Sequence, residues 1–171
     1  YKESIRSKNS KEIKYWLEEK YEFEYTYEVL RKLDLSDGDY EGIDISYGDF
    51  GKSDISRSNM KNANLKGAKF CESLLEGVDF TEAVVAEAVF DSANLKGASF
   101  KGANAQGSSF KDVDLAGVCF EGTDLSYSEM TGASIVNVNF KGALLKGTIF
   151  NINDINGLML EEEQKRDIVF K

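Results

Sequence analysis

Residues 93–102 read Ala93-Asn94-Leu95-Lys96-Gly97-Ala98-Ser99-Phe100-Lys101-Gly102. Two five-residue units follow one another without a gap. Each carries a small side chain, a polar one, a large apolar one, a lysine and a glycine. The same beat runs outward in both directions: from Leu35 to Leu160 every fifth residue is apolar, and only Ala105 in the series is small. Aliphatic and aromatic choices alternate, as in Leu65, Phe70, Leu75, Phe80, Val85, Phe90, Leu95 and Phe100. Two residues before each large apolar side chain stands a small one. The exceptions, Leu33, Ile43, Asn153 and Leu158, lie near the ends of the array.

A period of five fits neither the 3.6-residue turn of an α-helix nor the alternation of a long strand. The chain must instead turn in every unit, with one large and one small residue inward and three residues facing solvent. Glycine often follows two residues after the large one, as at Gly67, Gly97 and Gly142, where a corner with unusual dihedrals would favour it. One unit cannot stand alone. Burying its large side chain yields about 1.5–3 kcal/mol, while ordering five backbone units costs about 5–10 kcal/mol. Stacked units must therefore share a core and backbone hydrogen bonds, which is the logic of a solenoid. The absence of proline agrees, because backbone donors are needed along most of the chain.

The units Ala63-Asn64-Leu65-Lys66-Gly67, Val113-Asp114-Leu115-Ala116-Gly117 and Thr123-Asp124-Leu125 resemble the pentapeptide repeat family over residues 33–160. The resemblance implies an all-β fold, a right-handed quadrilateral β-helix with four units to a coil. Twenty-six units then give about six and a half coils, and at about 4.8 Å per coil a rod roughly 31 Å long. Positions ending in 0 fall on one opposed pair of sides, so Phe70, Phe80, Phe90, Phe100, Phe110, Phe120, Phe140 and Phe150 are expected to form the aromatic core.

Solenoid ends need covering. Residues 1–32 read as a helix begun at Ser10, with Ile13, Trp16 and Leu17 on one face. A strand follows in which Tyr21, Phe23, Tyr25, Tyr27 and Val29 alternate with polar residues. The segment is either a cap or a partner-binding extension that uses Trp16, Tyr21, Tyr25 and Tyr27. Residues 161–171 read as a second capping helix, begun by Glu161, Glu162 and Glu163 and continuing to Ile168 and Phe170. Close to it, the nominally outward Leu144, Ile149, Ile152 and Met159 are apolar, so either this helix or a second subunit covers them. The family resemblance implies a homodimer through the C-terminal end.

With 171 residues and 42% apolar content the chain can bury a core, and no apolar run is long enough to span a membrane. Tyr1 is not Met, which leaves a preceding leader open. Cys71 and Cys119 read as free surface thiols in a reducing compartment, so the expected location is cytoplasmic. The chain has no histidine and no glycine-rich phosphate loop, and its Asp and Ser residues are spread along the sides. No enzyme, no cofactor and no metal site is expected.

The net charge of −9 disfavours direct nucleic-acid binding. Acids concentrate at Asp34, Asp37, Asp39, Glu41, Asp44, Asp49 and Asp54, an acidic collar around the first coil. The repeat favours Asp or Asn for local backbone bonding, so the collar has a structural reading. It also has a functional one, as a surface attracting a basic protein. The expected function is a non-enzymatic interaction module with another protein as partner. The alternative implied by the resemblance is that of one family branch, whose members mimic duplex DNA and bind bacterial DNA gyrase and topoisomerase.

Overall fold

The computed structural model describes residues 10–21, 30–151 and 158–171. Its elements are helix α1 (Ser10–Tyr21), strand β1 (Ile149–Phe150), helix α2 (Glu162–Asp167) and strand β2 (Val169–Phe170). Over residues 30–148 the chain is neither helix nor extended strand. It winds, and residues ending in 4 or 9 form parallel bridges to the residue twenty positions on, from Asp34 with Asp54 to Glu129 with Ile149. The bridges fall into four columns, one for each side of the coil.

The winding follows from the backbone of a single unit. In residues 65–69 the Leu65 N–H donates to the Val84 carbonyl (2.7 Å), Gly67 to Ala86 (2.8 Å), Ala68 back to Leu65 (3.0 Å) and Lys69 to Gly48 (2.8 Å). The remaining donor, Lys66 N–H, meets the Asn64 side-chain oxygen at 3.3 Å. All five donors are therefore used: three bind neighbouring coils, one closes the corner, and one is taken by the polar side chain before the core residue. A proline at any of these sites would leave a carbonyl or side chain without its donor.

The corner requires a left-handed backbone. Every position ending in 2 or 7 from Lys32 to Gly147 has positive φ, between 55° and 76°. Glycine suits this conformation, but Tyr47, Arg57, Glu87, Tyr127 and nine other non-glycine residues adopt it too. The corner is thus imposed by stacking and does not depend on glycine at each site.

Inside the coil the phenylalanines form two columns. Phe50, Phe70, Phe90 and Phe110 stack at centroid distances of 5.6, 5.2 and 5.0 Å. On the opposite side Phe80, Phe100, Phe120 and Phe140 stack at 4.7, 5.1 and 5.6 Å. The columns meet edge to face, as in Phe90 against Phe100 at 5.6 Å and 87°, a geometry that suits the ring quadrupole. Phe150 extends the contact from Phe140. Aliphatic residues such as Leu65, Leu75, Leu95 and Leu115 fill the other two sides and are fully buried.

At the N-terminal end, Ile13 and Leu17 of α1 are buried and Trp16 is half-buried against the core. Lys14 Nζ donates to the Glu41 carbonyl, which places the helix beside the first coil. Tyr21, expected to open a strand, ends α1 instead. Phe23, Tyr25, Tyr27 and Val29, the remainder of that expected strand, lie outside the described residues.

The C-terminal helix is shorter than expected. It stops at Asp167, and Ile168 takes an extended conformation. Val169 and Phe170 then pair in parallel with Ile149 and Phe150. The offset is again twenty residues, so this ladder resumes after Lys165 has broken the five-residue sequence pattern. An apolar triplet such as Ile168-Val169-Phe170 that can join an open ladder gains bonds that a continued helix would forgo.

Phe100 touches four rings and is fully buried. Phe100→Ala is expected to cost about 3–5 kcal/mol by leaving a cavity, read as a lower midpoint in denaturant at unchanged slope.

Candidate interaction surfaces

Because the large and small inward positions are consumed by the core, any recognition must use the outward rows, the corners or the two ends. The acidic collar is the first of these. Asp34, Asp37, Asp39, Glu41 and Asp44 are exposed, while Asp49 and Asp54 are half-buried. The coil brings them into a ring but gives most of the carboxylates local work. Asp34, Asp44, Asp49 and Asp54 each accept the N–H two residues ahead, at 3.2, 3.1, 2.9 and 3.0 Å. Asp39 does the same for Glu41 at 3.4 Å.

The next coil adds donors. Asn59 and Asn64 amides reach Asp39 and Asp44 at 3.0 and 2.9 Å. Arg57 grips Asp37 with two bonds of 2.7 and 2.6 Å, and Arg31 pairs with Asp49 at 2.9 Å. The Arg57 bond holds the Asp37 carboxyl below its usual pKa. Burial opposes ionisation of Asp44, yet the Ser46 and Asn64 donors bring its pKa down. Tyr40, beneath the collar, is pushed up to about 12 by burial and then by Asp34. Among the described residues no group of three metal-binding side chains converges.

Farther along, lysines alternate with acids. Lys52 meets Glu72, Lys61 meets Asp79, Lys66 meets Glu87, Lys101 meets Glu121 and Lys111 meets Glu129, at 3.2 to 3.4 Å. Each joins neighbouring coils across solvent-exposed ground and is worth about 0–1 kcal/mol. Cys71 and Cys119 are free and half-buried. Burial, followed by Asp91 and Asp49, raises the Cys71 pKa, which makes it a poor thiolate.

Two exposed tyrosines stand out beyond the residues that sequence reasoning selected. Tyr47 and Tyr127 occupy the same corner of different coils. Each lies over the glycine twenty residues on: a Cβ on Gly67 would stand 2.5 Å from the Tyr47 ring, and one on Gly147 2.8 Å from the Tyr127 ring. Their signal in the sequence is a tyrosine where many repeats place glycine.

At the N-terminal end Trp16 packs inward, whereas Tyr15 faces solvent. Tyr21 lies in α1. At the C-terminal end Leu144 is 58% exposed and Met159 82%, joined by Val136 at 60% and Val169 at 44%. Ile149 is half-buried because β2 runs beside it. Ile152 lies outside the described residues.

Gln164 organises this end. It is buried, its Nε2 donates to the carbonyls of Phe140 (2.7 Å) and Ala143 (2.9 Å), and its Oε1 accepts from Glu161 N–H (2.9 Å). One coil earlier the matching carbonyl of Thr123 accepts the Leu144 N–H at 2.9 Å. Two coils earlier that of Phe100 accepts the Thr123 hydroxyl at 2.6 Å. One amide thus does the work of a following coil. Beside it a groove of about 560 Å³ opens between residues 137–141 and residues 159–161. No helix among the described residues is long and apolar enough to cross a membrane.

A model of pentapeptide repeats, in eight copies, matches overlapping stretches at 41–77, 58–95, 73–112, 88–126 and 114–151. No curated protein sequence matches. Among solved structures, the chain is similar to a pentapeptide repeat protein from the thylakoid lumen of Arabidopsis thaliana: 27% identity, 83% of this chain and 78% of that one, TM-score 0.48. It is similar also to a trypsin-treated form of QnrB1, a plasmid-mediated fluoroquinolone resistance protein, at 19% identity, 82% and 89% coverage and TM-score 0.42. A pentapeptide repeat protein from Nostoc aligns at 18% identity, 85% and 89% coverage and TM-score 0.38.

Asp44, Asp79 and Asp124 all have pKa values lowered in the folded chain. Their contribution is therefore complete above the unfolded value of about 3.9 and is lost as pH falls through the folded values. The expected outcome is a Tm that drops on acidification below about pH 4. The drop should be smaller in a D44N/D79N/D124N variant, which carries at each site the side chain that Asn64, Asn94 and Asn104 already use.

Proposed function

The chain belongs to the pentapeptide repeat family, and from that premise we propose that it works without catalysis, as a rigid rod that docks other proteins and pairs with a second copy at its C-terminal end. The coil is a right-handed β-helix. In this reading residues 33–160 form a rod of about six and a half coils, α1 closes its first turn and α2 its last.

The observation that carries the reading is the set of exposed apolar side chains distributed around the last turn. Val136, Leu144, Met159 and Val169 are all at least 44% exposed, whereas in the earlier coils the exposed large aliphatic side chains among the described residues are Leu74 (49%) and Val84 (37%). Covering one such side chain yields about 1.5–3 kcal/mol, and several together favour association over solvation. A two-fold contact suits the end of a coil, because the same end surface serves both chains. The flat sides, with rows of side chains repeating every twenty residues, are left for a different partner.

The DNA-mimic reading draws on the acidic collar, and the collar gives it little support. Asp37 and Asp49 are paired with arginines, and lysines interrupt the acids along the rod. A duplex mimic needs unpaired negative charge along its length.

Light scattering is expected to give a mass of two chains, and Leu144→Asp a mass of one with an unchanged circular dichroism spectrum. A two-chain mass for that variant would remove the patch from the contact. In a gyrase supercoiling assay, micromolar protein is expected to leave activity unchanged with and without quinolone. Inhibition or protection there would restore the DNA-mimic reading.

A further inference from the structure

The column of bridges that contains Asp39, Asn59, Asp79, Ser99, Cys119 and Asn139 should continue to Met159, twenty residues on. It does not. Asn139 pairs with Cys119 behind it and, among the described residues, with nothing ahead. In the preceding coil Phe120 N–H donates to the Asn139 carbonyl, Gly122 N–H donates to the Lys141 carbonyl, and the Val118 carbonyl accepts from Asn139 N–H. The same groups one coil later are Phe140 N–H, Gly142 N–H and, at the leading edge, the Val138 carbonyl. They form the ladder edge along the groove between residues 137–141 and 159–161, and no described residue supplies their backbone partners.

Residues 158–161 have the register for that seat. Met159 would sit opposite Asn139, and Glu161 opposite Lys141. The side-chain row that runs Lys101, Glu121, Lys141, Glu161 alternates in sign, and its first pair already closes at 3.2 Å. Yet the segment stands off its own ladder, with Met159 82% exposed. The reason is Gln164, whose bonds to Phe140, Ala143 and Glu161 N–H tie the start of α2 over the middle of the coil. Seating residues 158–161 within the same chain would mean giving up those three bonds. Seating them on another chain would not.

We propose that the groove receives residues 158–161 of a second copy of this chain, and that the exchange is reciprocal. Each chain then supplies the parallel strand that completes the other's edge, with Met159 covered and Glu161 brought to Lys141 of the opposite copy. The proposal rests on the C-terminal pairing read above and specifies how that pairing is made.

The test uses the full chain with Cys71 and Cys119 replaced by serine, in two single variants, Asn139→Cys and Met159→Cys, one of them bearing a longer tag. Mixed and mildly oxidised, they are expected to give a covalent dimer containing one chain of each length, since opposed strand residues lie within disulfide range. Light scattering on the same mixture under reducing conditions separates the two readings. A two-chain mass without the mixed disulfide would overturn the exchange and leave the pairing. A one-chain mass would overturn both. A double variant that closes its disulfide within one chain, with no covalent dimer, would show the seat filled in cis and overturn the exchange.

Discussion

Everything in this molecule depends on the left-handed residue at each corner. Without positive φ at the second residue after the core position, the chain could not return every five residues, and the twenty-residue bridges would not line up. That geometry is unfavourable for most side chains, and thirteen non-glycine residues nevertheless adopt it. The compensation is collective. Each unit satisfies all its donors only when coils lie on both sides, so the strain at one corner is sustained by bonds belonging to its neighbours. Cooperativity along the rod follows from this dependence.

The phenylalanine columns add direction to that cooperativity. Rings stacked at about 5 Å touch the coil before and the coil after, and the edge-to-face contacts tie the two columns together. The collar follows the same pattern outside. Its carboxylates read as a charged surface, but their geometry is that of turn-closing acceptors, and asparagine serves as well at Asn64 and Asn94. Charge at these positions is partly a by-product of backbone chemistry.

The repeat was legible in the sequence because it rests on side-chain size at fixed spacing: Leu65 or Phe100 inward, Ala63 or Ala98 beside it. The ends were harder to read. Tyr21 belongs to a helix despite its place in an alternating run, since alternation over a few residues also fits the flank of an amphipathic helix. Val169 and Phe170 rejoin the ladder, with Phe170 back on the five-residue beat after Lys165 has broken it. Gln164 carried no signal at all. Its role depends on carbonyls of Phe140 and Ala143 more than twenty residues away, and only the folded coil brings them within reach. Of the surface residues singled out, Leu144 and Met159 share an exposed end, while Trp16 turned inward for packing.

The leaning tyrosines carry a consequence for how such a chain can change over time. Tyr47 lies over Gly67, and Tyr127 over Gly147, so neither glycine can gain a side chain while its tyrosine stays in place. A bulky replacement at Gly67 is tolerated only after Tyr47 has shrunk. Substitutions should therefore arrive in ordered couples separated by one full winding, and the mutational memory of this protein is written along its long axis, across coils, instead of between neighbours in the chain.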